Sequence, residues 1–366
     1  MQPKAATKEE NLQILLKNFV ESRDDIIIAF LYSKDGLLFS KYSKFEGTAQ
    51  EDKESEDVYG ALTAIVENLL DKISLEYKTG RYGSGSFETE DNRIIYLEAG
   101  SEAILLLVCD YETNLNTLFP VAYLVVEKIA QLLENSFDFK FNSLEIPDLN
   151  IYDTFSIGLD KFSIQESNPI INGVTPTHKF ERSNQIEKLF KLIVLGSAAV
   201  GKTTLVHQFL KKEDIIDYRP TLGISISTQH YHVQGFKDDV IQFLIFDLAG
   251  QSFFKRVRRD YYKGANCAFI VYDVTRRETF DEAVDFWLKD AQKELGNIPF
   301  VLIGNKIDLE EDRVVTKEEG LKKARELKSF FIETSALRNI NVQDTFKIIG
   351  IGLFFQHVEE NRWEDS

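Results

Sequence analysis

The sequence predicts an α/β protein made of two units in tandem, and three observations carry that expectation. At 366 residues the chain is longer than one ordinary hydrophobic core supports. Its 43% hydrophobic and 28% charged residues give the balance of a globular protein. Short β-prone apolar runs alternate along it with segments of helical period, the pattern of sheets packed against helices.

The first unit is set at residues 1–136. Leu12, Ile14, Leu15, Phe19 and Val20 repeat at helical spacing, and Ser22-Arg23-Asp24-Asp25 ends that helix. Ile26–Tyr32 and Leu37–Tyr42 are strands around Asp35-Gly36, a hairpin signal. Thr48–Asp57 is polar and acidic and reads as a solvated loop. Val58–Ile73 returns to helical period through Leu62, Ile65, Leu69, Leu70 and Ile73. Arg81–Glu88, Arg93–Glu98 and Ala103–Cys109 are further strands, and Leu118–Leu133 closes the unit as a helix. Residues 137–186 carry Pro147, Pro169 and Pro176 without a sustained period, and are read as a linker to a second unit at 187–366.

Charge and cysteine content exclude several functions. Acidic residues outnumber basic ones 59 to 43, and the net charge of -16 repels a phosphate backbone, so general nucleic-acid affinity is excluded. Residues 1–140 hold 25 acidic and 14 basic residues, so the first unit carries most of that excess. Cys109 and Cys267, each inside an apolar run, make neither a disulfide framework nor a cysteine zinc site, as expected in a reducing compartment. The first residues lack a signal-peptide core, Gln2 stands where myristoylation needs Gly, and the last residues lack a prenylation cysteine. The expectation is a cytoplasmic protein without an intrinsic lipid anchor, recruited to membranes through partners.

The second unit carries the chemistry. The apolar strand Lys188–Leu195 runs into Gly196-Ser197-Ala198-Ala199-Val200-Gly201-Lys202-Thr203, and Thr204–Leu210 continues as a helix. A strand entering a glycine-bounded turn and then a helix points backbone N–H groups at a polyphosphate. In this P-loop Lys202 neutralises the terminal phosphates and the Thr203 hydroxyl holds Mg²⁺. Asn305-Lys306-Ile307-Asp308 follows the strand Phe300–Ile303. The Asp308 carboxylate matches the N1–H and amino donors of guanine, and adenine would leave that carboxylate unpaired. Lys306 can lie along the base, Asn305 braces the loops, and Ser335-Ala336 supplies a backbone N–H for the guanine carbonyl.

Two further runs stand between these motifs. Tyr218-Arg219-Pro220-Thr221-Leu222-Gly223 lies just downstream of the P-loop helix, and Asp247-Leu248-Ala249-Gly250-Gln251 follows the strand Ile241–Phe246. Together with Tyr261–Ala265 and Val271–Thr275, these five motifs resemble the Ras superfamily of small GTPases, and its Rab branch most closely. The resemblance covers residues 188–357 and implies a mostly parallel six-stranded sheet with helices on both faces. It also implies binding of GTP and GDP, with Mg²⁺ held by Thr203, Thr221 and Asp247. Tyr218 and Thr221 would meet the nucleotide, Gly250 the γ-phosphate, and Gln251 would orient the attacking water. Activating proteins, exchange proteins and effectors at the switch loops are the implied partners.

Some residues depart from that pattern. Ala198 and Ala199 replace glycines of Ras-type loops, Asp214 stands where an aromatic ring faces guanine, and Ser252 and Leu337 replace Glu and Lys. The first unit resembles the roadblock family, related in shape to longin modules, and implies an antiparallel five-stranded sheet that forms homo- or heterodimers or regulates the GTPase. The alternative reading is a GTP-binding scaffold with negligible hydrolysis, and an ATP-driven enzyme is opposed by Asp308. His230 and His232 alternate on a strand and read as a solvated or core pair. Lys255, Arg256, Arg258 and Arg259 read as a solvated basic face or as a surface for an acidic partner such as the first unit.

Overall fold

A computed structural model describes residues 6–45, 56–64, 84–89, 91–140, 142–147, 174–175, 187–211, 224–232, 240–248, 261–296 and 298–361. Helix α1 spans Lys8–Glu21 and starts on a capping box. There Thr7 accepts from the Glu10 N–H at 3.2 Å, and the Glu10 carboxylate accepts from the Thr7 N–H at 2.7 Å. Strands β1 (Ile26–Ser33) and β2 (Leu38–Ser43) form the expected hairpin, with Gly36 at φ +85° in its turn. Helical residues 56–64 form α2, so Glu56 and Asp57 belong to the helix and not to the loop expected there. Strands β3 (Ser84–Glu88), β4 (Asn92–Ala99) and β5 (Ala103–Asp110) precede α3 (Leu115–Leu133).

These strands lie in the order β2-β1-β5-β4-β3, every neighbour antiparallel. A sixth strand, β6 (Val174–Thr175), pairs with β3 at the edge, Phe87 opposite Val174. The segment read as a linker therefore contributes a strand to the first sheet. Its residues Phe137, Leu144 and Ile146 also pack on the core, and Asn18 Nδ2 donates to the Leu144 carbonyl at 2.9 Å.

The second sheet begins with β7 (Glu187–Leu195) and α4 (Lys202–Phe209), followed by β8 (Ile224–His232), β9 (Val240–Leu248) and β10 (Cys267–Asp273). Helix α5 runs from Arg277 to Leu295 through a π-helical turn at Ala283–Trp287. Then come β11 (Phe300–Asn305), α6 (Lys317–Glu326), β12 (Phe330–Thr334) and α7 (Val342–Asn361). The strand order is β12-β11-β10-β7-β9-β8, parallel throughout except for β8 against β9. Alternation along β7 sends Phe190, Leu192 and Val194 to the α4 and α7 side, and Ile193 and Leu195 to the α5 and α6 side. Helices therefore cover both faces, as a parallel sheet requires.

The two sheets share one continuous buried core. Nearly every residue of α3 from Leu118 to Leu132 is buried, because one side meets α1 and the first sheet and the other meets α7. Phe355 of α7 sits 4.9 Å from the Tyr123 ring and 6.4 Å from that of Phe119. The resulting layer order is sheet, α3, α7, sheet. Among the described residues no helix is long and apolar enough to cross a membrane.

Candidate active site

Parallel strands joined by crossovers release their loops at one edge of a sheet, and the sequence motifs lie there. β7 ends at Leu195 and the P-loop turns before α4 begins at Lys202. Gly196 has φ +138°, and a Cβ there would fall 2.1 Å from the Val271 carbonyl oxygen. Gly201 has φ +98°, and its Cβ would fall 2.3 Å from Asn305 Nδ2. Any side chain at either position would push a strand or the Asn305 loop away. Ala199, between them, adopts φ +61° without being glycine.

Lys202 is buried, and its ammonium donates to the carbonyls of Gly196 at 2.9 Å and Ser197 at 2.8 Å. Burial lowers its pKa to about 8, with Asp247 opposing that shift and Arg276 adding to it. The Thr203 hydroxyl donates to the Asp247 carboxylate, so two of the three expected metal-binding oxygens meet where α4 begins beside the end of β9. Both are hard oxygen donors of the kind Mg²⁺ prefers, and the residues fit the ion.

Asn305, at the end of β11, is buried and joins three loops. Its Nδ2 donates to the Val200 carbonyl at 2.8 Å, and its Oδ1 accepts from Thr334 Oγ1 at 3.1 Å and the Ala336 N–H at 3.0 Å. The Ala336 N–H, expected to meet a guanine carbonyl, is here committed to Asn305. Asp308 accepts from Ser335 Oγ at 2.5 Å.

Several residues that sequence reasoning missed tie these loops together. Asp273, buried at the end of β10, pairs with Lys306 Nζ at 2.6 Å and Arg276 Nε at 3.0 Å, and accepts from Thr275 N and Oγ1 at 2.9 and 2.7 Å. Burial raises its pKa, but the bonds from Lys306 and Thr275 outweigh that and keep the carboxylate ionised below its usual range. Arg276 in turn donates through Nη2 to the Ala198 carbonyl at 3.1 Å. The Asn305–Asp308 loop and the Gly196–Thr203 turn are thus linked through one carboxylate. On the other flank the Ser197 hydroxyl donates to Glu282 and accepts from Trp287 Nε1, the latter at 3.3 Å. The run Val271–Thr275 was conspicuous in the sequence, but spacing alone gave no sign of these bonds.

Tyr218, Thr221, Gly250 and Gln251 lie outside the described residues, as do Asp214, Ser252 and the basic cluster from Lys255 to Arg259. The described strands bracket them, since β8 begins at Ile224 and β9 ends at Leu248. His230 and His232 lie on β8, and no group of three or more His, Cys, Asp or Glu placed to hold a metal occurs among the described residues.

The sequence pattern of the Ras family matches residues 191–351. Ras-related protein Rab-2B of Dictyostelium discoideum is 39% identical over 177 residues, 48% of this chain and 86% of the relative. This chain belongs to the Ras family. Human Ras-related protein Rab-4A is 41% identical over 165 residues, covering 45% of this chain and 74% of its own length. Ras-related protein RABA6a of Arabidopsis thaliana is 38% identical over 167 residues, 45% of this chain and 70% of the relative. As a Ras-family protein the chain is a small GTPase, a GTP hydrolase, and the family binds GTP and GDP with Mg²⁺. Rab-like GTPases work with activating proteins, exchange proteins and effectors.

Proposed function

We propose that the chain is a Mg²⁺-dependent molecular switch whose switch loops are read by partners, joined to a roadblock-like module at residues 1–136 that dimerises or regulates. The observation that carries this reading is the Asn305 brace, which holds the P-loop at Val200 and the Thr334–Ala336 loop in one register with Asp308. Asp308 accepts the two guanine donors, and Lys202 leaves its loop carbonyls to neutralise the terminal phosphates. Thr203, Asp247 and Thr221 hold the metal, which supplies charge neutralisation at the phosphates when bound. Gly250 donates its N–H to the γ-phosphate and Gln251 orients the attacking water.

Positioning and charge neutralisation dominate such phosphoryl transfer. Loss of the γ-phosphate removes the contacts made by Thr221 and Gly250, and both switch loops relax in a form partners distinguish. An activating protein that inserts an arginine raises the rate by roughly 10³–10⁵-fold. The protein works in the cytoplasm and reaches membranes through partners.

A scaffold reading has one observation in its favour. Ala198 places a methyl group in the P-loop, beside the peptide whose carbonyl binds Arg276. Single-turnover GTP hydrolysis by the wild type and Gln251→Leu separates the two. The switch reading expects a loss of about 10²-fold in the variant. Equal and negligible rates in both proteins would leave only the scaffold.

A further inference from the structure

We propose that the first unit acts as a built-in clamp on the nucleotide domain, bound in cis through α3 and slowing nucleotide release. This rests on the guanine-nucleotide reading of the site above. The contact lies on the opposite side of α4 from the P-loop, and it is built from charges as well as apolar rings.

Neighbouring residues of α3 carry opposite charges and meet opposite charges on α7. Lys128, fully buried, donates to Asp344 at 2.6 Å and to the carbonyls of Ser143 at 2.7 Å and Glu145 at 3.0 Å. These three acceptors match the three donors of an ammonium group. Glu127, also buried, pairs with Lys347 at 2.7 Å and accepts from the Tyr231 hydroxyl of β8. Gln131 Nε2 adds a bond to the same carboxylate at 2.8 Å. Buried charges cost much to desolvate, so each is tolerable only while its partner stays in place. The crossed order of charges sets one register for the helix pair.

Two routes lead from that cluster toward the nucleotide. Gln343, beside Asp344, donates to the carbonyls of Gln208 at 2.8 Å and Phe209 at 3.2 Å, and so satisfies the last turn of α4. Phe346, beside Lys347, stacks on Phe209 with ring centroids 4.0 Å apart and planes 6° from parallel. The other end of α4 carries Lys202 and Thr203. The second route is β8, which holds Tyr231 near its end and begins at Ile224, directly after the Thr221 segment. With α3 in place, α4 and β8 are pinned at their far ends. When α3 lets go, the partners left behind on α7 must be hydrated, the cap on α4 loosens, and the P-loop holds the nucleotide less firmly. By linkage, bound nucleotide favours the docked arrangement equally.

The experiment is release of a fluorescent GDP from the full chain, with hydrogen exchange of α3, α4 and α7 followed in parallel. Lys347→Glu faces Glu127 with a like charge, and the proposal expects release to quicken by about tenfold with faster exchange in α3 and α7. Glu127→Lys with Lys347→Glu restores an ion pair in reversed order, and release should return to within about twofold of the wild type. Tyr231→Phe, a mild change that keeps the fold, should speed release by about twofold and decides the matter if Lys347→Glu fails to fold. Faster exchange in α3 and α7 with GDP leaving at the wild-type rate would overturn the clamp, as would a double variant no slower than the single one. A wild-type chain that binds no guanine nucleotide would overturn the site reading instead.

Discussion

The two sheets have similar sizes and opposite uses. The first is antiparallel, so its loops are divided between both ends. The second is parallel except at one edge, and β7, β9, β10, β11 and β12 all deliver their loops to the same side. Asp247, Asp273, Asn305 and Thr334 stand at or next to strand ends there, and every one of them is buried. Arg23, a buried polar residue of the first sheet's unit, instead binds its own surroundings: it pairs with Asp25 at 2.6 Å and donates to the Thr117 carbonyl at 3.2 Å. Connection topology, more than composition, decides which sheet can gather a site.

Asp308→Asn tests that contrast most strongly. GTP affinity should fall by about 10³-fold, because one guanine donor then faces an amide N–H₂, and affinity for xanthosine triphosphate should rise. Amide exchange in β1 and β5 of the nucleotide-free variant should stay at the wild-type rate, and faster exchange there would show that the sheets do not divide the work. Unchanged GTP affinity would remove Asp308 from the base site.

Arg276→Ala should weaken GDP by about tenfold. It removes the link from Asp273 to the Ala198 carbonyl but leaves Lys306 on Asp273, and calorimetric titration reads the change. Trp287→Phe removes the indole N–H bonded to Ser197 along with part of a buried ring, and should cost about 1 kcal/mol of GDP affinity by the same titration.

The two thiols give the smallest effect and the most direct comparison, since Cys109 lies in β5 and Cys267 in β10. Burial pushes Cys109 up to about 12, with the nearby Asp25 adding to the shift, and burial raises Cys267 also. The thiolate is the reactive form, so burial holds both thiols in the unreactive protonated form. Neither thiol of the native chain should react with a disulfide reagent while urea-unfolded protein reacts fully. Rapid reaction of one alone would identify the sheet that opens more easily.

The parts of the site readable in the sequence were those whose chemistry restricts residue type and spacing at once. A polyphosphate needs the turn from Gly196 to Thr203 in unbroken order, and guanine needs a carboxylate a fixed step after Asn305. Asp273, Arg276 and Trp287 were not readable, because their partners come from other strands and any polar residue fits such a pattern locally. Strands β1 to β5 and helices α1 and α3 were legible from period. The pairing of α3 with α7 was not, since a helix apolar on all sides announces burial without naming its neighbour. Glu127-Lys128 inside that apolar run was the available clue. β6, two residues long, leaves no periodic trace at all.

The π-helical turn of α5 has a consequence for how this chain can vary in length. A wide turn holds one residue more than an α-helical turn would, so it stores a single residue of slack. Deleting one residue within Ala283–Trp287 can be absorbed there, and Leu288 and Ala291 keep facing the sheet. Deleting one between Leu288 and Leu295 instead turns everything after it by about 100° and carries apolar side chains into water. Along this helix, insertions and deletions therefore have one tolerant address, and it is the turn that carries Trp287 to the P-loop.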